Sequence, residues 1–179
     1  MGTFWVDLPD FASSVENLQV QRGVGTSTNG SSAFGASINI LTDLISKNPY
    51  FENSNSVGSY NTIKNTFKFS TGILNDYFEF SGRLSKIDSD GYIDRSSSDL
   101  KSYFLQLNYK KENTLIKALS FGGHEITYQA WNGIDEETLQ SDRTYNPSGM
   151  YIDQSGDIQF YDNEVDNYKQ DHYQLHWSQ

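Results

Sequence analysis

Histidines are the residues that come closest to chemical sites by type and spacing. His124 and Glu125 begin a zinc-protease pattern, but Ile-Thr-Tyr follows them and the second histidine of that pattern is missing. His172 and His176 are four residues apart, which on a strand separates them by ~13 Å, too far to share one metal ion. The sequence therefore predicts no metal site here, and we interpret these histidines as polar strand residues.

Aspartate clusters are the second candidate. Asp88, Asp90 and Asp94 in "DSDGYID", and Asp153 and Asp157 in "DQSGD", have the oxygen spacing of calcium loops. Both clusters lack the terminal glutamate of the EF-hand pattern, and Asp, Ser and Gly are first of all turn-forming residues. Turns are favoured, with calcium as the alternative.

No phosphate loop, nucleophile elbow or carboxylate pair is present, so we predict no catalytic residues, no cofactor and no enzyme activity.

A long aromatic segment is the third candidate. It contains Trp131, Tyr145, Tyr151 and Tyr161 among many Asn and Asp residues. Aromatic and amide side chains on an exposed loop suit the capture of a ligand, and self-packing of the loop is the equal alternative. We treat these four residues as a candidate ligand-contacting loop.

Composition limits the class of protein. Of 179 residues, 36% are hydrophobic and 15% aromatic, with twelve Tyr and eleven Phe, a balance that favours strands. A net charge of −10 without a basic stripe argues against a nucleic-acid partner. The absence of cysteine excludes disulfides and thiolate chemistry. No apolar run reaches the ~18 residues of a transmembrane helix, whereas a transmembrane strand needs only ~9–11.

Alternation with period two dominates from about residue 57 onward. In "YFLQLNYK", Tyr103, Leu105, Leu107 and Tyr109 fall on one side, and Phe104, Gln106, Asn108 and Lys110 fall on the other. The segments "TIKNTFKFSTGIL", "YFEFSGRLSKI" and "HYQLHWSQ" behave alike, the last with Tyr173, Leu175 and Trp177 on one side. Such alternation predicts strands with one wet face.

A phase change in "LIKALSFGGHEITYQAW" interrupts this alternation. Leu119 and Phe121 are apolar at odd positions, whereas Ile126 and Tyr128 are apolar at even ones. The sequence therefore predicts a β-bulge at residues 122–123, where two glycines stand.

Connections between the predicted strands alternate between short and long. Residues 74–77 and 110–113 are tight turns, whereas 88–99 and about 132–167 are long. This asymmetry is typical of outer-membrane barrels, which have short turns at one end and long loops at the other. A soluble sandwich remains the alternative.

Residues 15–42, "VENLQVQRGVGTSTNGSSAFGASINILT", resemble the end of the plug domain of TonB-dependent outer-membrane receptors. Matching positions are Arg22-Gly23, Gly30, Ala33, Gly35-Ala36, Ile38-Asn39-Ile40 and Thr42. Val24 departs from the family, which often has Pro there. Downstream, residues 56–62 and 81–94 resemble the family's first strands and first long loop, and 143–179 are similar to receptors of Bacteroidetes-like bacteria.

The resemblance implies a mainly all-β fragment. Residues 1–48 would be the C-terminal part of the plug, 49–56 a linker, and 57–179 the incomplete N-terminal part of a large transmembrane β-barrel. About six antiparallel strands would be present of the 22 in the family. The segment that contacts TonB would be missing from the N-terminus.

The resemblance also implies a function: energy-coupled uptake of a scarce nutrient through the cell outer membrane, with a metal chelate such as a siderophore, haem or cobalamin as the favoured nutrient. TonB and the lipid bilayer would be the partners. The plug hairpin would contact the barrel lumen through Arg22, Gly23, Gly30, Gly35 and Asn39. Candidate residues of the lumen wall are Lys64, Lys68, Glu79, Arg83 and His176.

A rival from another class is a soluble or surface-displayed β-sandwich that binds carbohydrate through its aromatic residues. A barrel predicts that residues such as Leu105, Leu107, Leu175 and Trp177 face lipid. A sandwich predicts that the same residues are buried in a core.

Overall fold

The chain is mainly β in a computed structural model that describes residues 8–23 and 35–179, in agreement with the predicted all-β class. A short 3-10 helix precedes the first strand, and one α-helix lies in the longest connection. The elements in chain order are the 3-10 helix Phe11–Ser14, β1 (Val15–Arg22), β2 (Ala36–Thr42), β3 (Pro49–Val57), β4 (Ile63–Thr71), β5 (Phe78–Ser89), β6 (Ser98–Lys111), β7 (Thr114–Tyr128), α1 (Glu136–Ser141), β8 (Met150–Ile152), β9 (Ile158–Phe160) and β10 (Val165–Ser178).

Six of these strands form one antiparallel sheet, in the order β10-β7-β6-β5-β4-β3. The strands β1 and β2 pair separately with each other, and so do β8 and β9. Among the residues described, no helix has the length and apolar character needed to cross a membrane.

The predicted linker at 49–56 is a strand instead. These residues form most of β3, which pairs with β4 from Pro49–Thr71 to Val57–Ile63. Their Asn, Ser and Pro content is typical of a loop, but among the described strands β3 pairs with β4 alone, and all its side chains are exposed. An edge strand tolerates a proline at its first residue, so backbone pairing decides the conformation here.

The predicted bulge at 122–123 is wrong. The strand β7 keeps an unbroken register with β6 and with β10 through both glycines. The phase change arises because Leu119 and Phe121 lie on the otherwise polar side of β7, where they pack with Leu8 and Phe11 from the N-terminal segment. Tertiary packing, not an extra residue, explains the apolar positions.

The two faces of the sheet have opposite character, and the buried one is polar. We call the polar face the side that carries these buried residues: Thr66, Ser70, Glu79, Ser81, Arg83, Ser85, Gln106, Asn108 and Glu125. We call the apolar face the opposite side, where these large side chains are exposed: Phe67, Phe78, Phe80, Leu84, Leu107, Tyr173, Leu175 and Trp177.

The exposed fractions of individual residues show that the usual burial of apolar residues and exposure of polar ones is inverted in this sheet. The side chains of Glu79, Arg83 and Asn108 are 1% exposed, whereas Tyr173 and Leu175 are 76% and 74% exposed. A water-soluble sheet would bury the second group and expose the first. No part of the chain that the structure describes forms a second layer over the apolar face.

Candidate functional site: a polar interface on the sheet

The N-terminal segment, residues 8–14, lies on the polar face and turns there around Asp10. Asp10 adopts a left-handed conformation with φ of 55°, which aspartate tolerates better than most residues. The 3-10 helix begins directly after it, and Ser13 donates a hydrogen bond back to its carboxylate. This local turn directs the carboxylate toward the sheet.

Asp10 is the centre of a charged network. One carboxylate oxygen accepts from the Nζ atom of Lys64 at 2.5 Å. The other accepts from Arg83 at 3.1 Å and from the hydroxyl of Ser85 at 2.5 Å. Two adjacent strands, β4 and β5, thus hold one carboxylate from a distant segment.

Arg83 joins the segment to the middle of the sheet. Its Nε atom donates to the hydroxyl of Ser14 at 2.7 Å, and its Nη1 atom donates to Ser102 on β6 at 3.0 Å as well as to Asp10. A planar guanidinium with several donors suits such a bridge. The side chain is buried, so its charge depends on Asp10 for compensation.

Several effects shift the pKa of Asp10 in opposite directions. Burial raises the pKa of this carboxyl, but the hydrogen bonds from Lys64, Ser13 and Ser85 and the positive charge of Arg83 outweigh burial. The net pKa is lowered, so Asp10 is ionised at neutral pH.

An apolar contact flanks the charged network. The ring of Phe11 lies 5.1 Å from the ring of Phe121 and 6.4 Å from that of Phe104, and Leu8 belongs to the same cluster. These residues form the small buried apolar core of the interface. Aromatic pairs at such distances add about 0.5–1.5 kcal/mol beyond the area that they bury.

Residues at the end of β2 make a second set of contacts with the polar face. Thr42 accepts a hydrogen bond from Lys117 at 3.1 Å, and the backbone carbonyl of Asp43 accepts one from Gln106 at 3.2 Å. The Asp43 carboxylate lies 3.6 Å from Lys68, and the Asp43 amide donates to the Ser14 carbonyl at 3.2 Å. Both ends of the β1–β2 hairpin are therefore fastened to the polar face and to each other.

The residues predicted for the plug hairpin lie away from these anchors. Arg22 and Asn39 are exposed on β1 and β2, and Asn39 is paired with Gln19. Gly23 has φ of 79° and donates its amide to the Gly35 carbonyl at 3.0 Å, so the two glycines close the described end of the hairpin. Gly30 lies outside the described residues.

The predicted wall residues all lie on the polar face, with different partners. Lys64, Lys68 and Arg83 contact the N-terminal segment or Asp43 as described above. Glu79 instead accepts from Ser70 and Asn108, each at 2.6 Å. His176 is exposed at the end of β10, beside Gln174 at 3.2 Å.

Sequence reasoning missed the residues on the other side of the interface, Asp10, Ser14, Thr42 and Asp43. The available signal was weak: Asp10 followed by Ser13 and Ser14 is a common turn pattern. Nothing in the sequence pairs that turn with Arg83.

The aromatic loop is partly packed against itself. Tyr151 stacks on Tyr161 with ring centres 4.4 Å apart, and Tyr145 contacts the sulfur of Met150 at 3.6 Å. Trp131 differs from the other three because it is 79% exposed. The loop therefore offers one free aromatic side chain beside an ordered cluster.

The loop is also tied to the neighbouring connection between β5 and β6. The buried amide of Asn146 donates to the carbonyls of Asp94 and Gln129, at 3.0 and 2.9 Å. Arg95 donates to the Asn146 carbonyl and lies 3.7 Å from the ring centre of Phe160. Two long connections thus form one ordered unit at this end of the sheet.

The aspartate clusters behave as turns. Asp153 accepts the backbone amides of Ser155 and Asp157, and these bonds hold its pKa below the ordinary value. Within the described ranges, no group of three or more His, Cys, Asp or Glu residues has the geometry to hold a metal ion.

In comparisons with known proteins, no family model matches the chain, and no curated protein matches it.

Proposed function

We propose that this chain is part of a TonB-dependent outer-membrane receptor. The N-terminal segment and the β1–β2 hairpin would belong to the plug, and the six-stranded sheet to the barrel wall. The observation that carries the proposal is the inverted polarity of the sheet. Its polar face carries the N-terminal segment and buried polar residues such as Arg83, and its apolar face is exposed.

The strand β6 supports the proposal quantitatively. Its apolar-face residues are Lys101, Tyr103, Leu105, Leu107, Tyr109 and Lys111, a symmetrical series with charges outside, aromatics next and leucines at the centre. Ten residue steps separate the two lysines, which is ~33 Å along the strand. At a tilt of ~40° this spans about 25 Å, the height of the apolar band of a membrane barrel with aromatic girdles at both borders.

The turn end of the sheet carries a further aromatic cluster. The ring of Tyr109 lies 5.1 Å from that of Phe78 and 6.2 Å from that of Tyr77, and Lys111 lies 5.3 Å from the ring centre of Tyr77. Amphipathic rings next to cationic side chains are typical of the border between lipid tails and headgroups. The cluster lies where the short turns are, as the barrel orientation requires.

The interface suits a plug that moves. Its main contacts are charged groups and hydrogen bonds on a polar surface, and these groups can be solvated by water when the segment leaves. A large apolar contact would instead expose hydrophobic surface on separation. Force transmitted through TonB would break the contacts of Asp10 and Asp43 with the lysine and arginine side chains of the sheet, while the strands stay fixed.

The long loops would capture the ligand outside. The class of ligand remains the one implied by the family resemblance, a metal chelate. Residues 129–164 carry eight acidic side chains and Arg143 as the single basic one. This charge favours a chelate without net negative charge, because like charges lower association rates and affinity.

Envelope fractionation tests the proposal. An antibody against this chain should detect, in unboiled outer membranes, a band several times larger than 20.3 kDa that shifts on heating. The control is a soluble periplasmic protein in the same fractions. A soluble band near 20 kDa that ignores heating would replace the proposal by the carbohydrate-binding sandwich.

A further inference from the structure

A row of four polar residues crosses the polar face at the point where Thr42 contacts the sheet. Glu79, Asn108, Lys117 and His176 are direct cross-strand neighbours on β5, β6, β7 and β10. The side chains of such neighbours point to the same side of a sheet, and their Cβ atoms lie about 4.5–5.5 Å apart. A long side chain in this row can therefore reach the residues beside it.

Two acceptors in the row are buried and incompletely satisfied. Glu79 is 1% exposed and accepts from the neutral groups of Ser70 and Asn108. Among the described residues, no cationic side chain forms an ion pair with it. Asn108 is equally buried, and no described residue donates to its carbonyl oxygen. A buried charge without a partner and a buried acceptor without a donor are both destabilising.

Turning over the Asn108 amide cannot satisfy these acceptors. An ionised carboxylate only accepts hydrogen bonds, so the amide nitrogen must face Glu79, to which it donates at 2.6 Å. The amide oxygen is then left for a donor from outside the pair. Glu79 and Asn108 together need a group with a positive charge and several donors, and a lysine ammonium is such a group.

Lys117 stands directly beside Asn108 in the row, and the β1–β2 hairpin holds its ammonium. The Nζ atom donates to the Thr42 hydroxyl at 3.1 Å. The carboxylates of Glu79 and Asp43 both attract this ammonium electrostatically. A hydrogen bond in which both partners are ionised is stronger than one to a neutral hydroxyl, so Glu79 is a favourable partner once Thr42 leaves.

We propose that Lys117 has two alternative partners, Thr42 while the hairpin is docked and the Glu79–Asn108 pair when the hairpin leaves. The proposal rests on the proposed function, in which the plug moves. The flexible four-carbon stem of lysine allows the ammonium to cross to the neighbouring strand. The exchange lowers the free-energy cost of release, because Lys117 replaces one partner by another and the buried carboxylate gains a counter-charge.

Acetylation of lysines by sulfosuccinimidyl acetate, read by mass spectrometry of the full-length protein in detergent, tests the exchange. The variants are Thr42→Val, Glu79→Gln and the two combined. The matched control, Thr42→Val/Glu52→Gln, makes the same carboxylate change at an exposed position of the edge strand β3. The heat-shifted band on unboiled gels shows that each variant is folded.

We expect Lys117 to react as slowly in each single variant as in the wild type, because one of its two partners remains. In Thr42→Val/Glu79→Gln it should react about tenfold faster, which corresponds to the loss of a hydrogen bond to a charged group. The control should react like Thr42→Val. Fast acetylation in either single variant, or slow acetylation in the combined one, would overturn the proposal.

Carbodiimide cross-linking gives a second readout that needs only Thr42→Val. This reagent joins an amine and a carboxylate that are in direct contact. A peptide that links Lys117 to Glu79 should appear in Thr42→Val and be at least several-fold rarer in the wild type. Its absence from Thr42→Val would contradict the transfer of the ammonium to Glu79.

The two proposals fail in different ways. If the heat-shifted outer-membrane band is present and Thr42→Val alone makes Lys117 reactive, the second partner of Lys117 is wrong and the receptor proposal is unaffected. If the wild type shows no such band, the proposed receptor function is wrong as well.

Discussion

The carboxylate of Asp10 and the guanidinium of Arg83 lie 3.1 Å apart, although 73 positions separate them in the sequence, and both side chains are buried. This pair joins a turn of the N-terminal segment to the centre of the polar face. In the proposed receptor it is the contact that must break when the plug moves.

Replacing Asp10 by Asn should weaken the docking of the N-terminal segment. Arg83 would remain buried without its hydrogen-bonded carboxylate, and such a loss costs about 3–5 kcal/mol. Hydrogen exchange of the backbone amides at 8–14 should increase strongly, while exchange in β5 and β6 stays slow.

The matched control is Asp76→Asn, in an exposed tight turn where φ is 64° and asparagine fits equally well. It should leave the exchange at 8–14 unchanged. Equal exchange in both variants would show that the Asp10 network does not hold the segment.

Docking of the segment should also depend on acidity in a defined direction. The pKa of Asp10 is lowered in the docked state, so its contribution is fully present above the ordinary carboxyl pKa of about 3.9 and is lost as the pH falls through the lowered value. Proteolysis of residues 8–43 by an acid-active protease should be slow at pH 5 and rise only below about pH 4. Faster proteolysis already between pH 5 and 7 would show that the ionisation of a group other than Asp10 controls the docking of the segment.

Replacing Phe11 by Ala should weaken the same interface without changing its charge. The ring loses its contacts with Phe104 and Phe121, which corresponds to about 2 kcal/mol. Limited proteolysis should cut residues 8–43 several-fold faster at neutral pH. Phe51→Ala is the control, because that ring is 70% exposed on the edge strand and should have no effect on the cutting rate.

Trp131 and Tyr151 should have different roles in the long loop. Trp131→Ala removes an exposed aromatic contact and should lower chelate uptake by tenfold or more without changing thermal stability. Tyr151→Ala removes the stacking on Tyr161 and should mainly loosen the loop, by about 1 kcal/mol. Uptake of radiolabelled iron chelate and thermal melting, measured on both variants, distinguish the two effects.

Period-two alternation was sufficient to predict the strands β4, β5, β6 and β10 and the sides on which their residues fall. Residues such as Tyr103 and Leu105 fall on the predicted apolar side because each strand position fixes the direction of its side chain. Composition failed at residues 49–56, where Asn and Ser suggested a linker but backbone pairing with β4 made a strand.

Sequence patterns could not predict contacts between residues that are far apart in the chain. Leu119 and Phe121 suggested a bulge because the partner of their apolar side chains, Phe11, lies more than 100 positions earlier. The Asp10 network could not be predicted for the same reason, because an aspartate in a turn does not indicate which arginine it contacts. Strand periodicity alone was enough to place Lys64, Lys68 and Arg83 on the polar side of the sheet.

The most direct test of the receptor proposal compares two neighbouring positions on β10. The 179 residues contain no cysteine, so Leu175→Cys and Gln174→Cys each create one labelling site in this part of the protein, on the apolar and the polar face respectively, and the unsubstituted protein gives the background labelling. Both variants are labelled with an environment-sensitive fluorophore in outer-membrane vesicles that contain lipids with a spin label on the acyl chain. The account predicts that the spin label quenches the fluorophore at position 175 and leaves the one at 174 unaffected, because only the apolar face contacts lipid. An unquenched fluorophore at position 175 would contradict it.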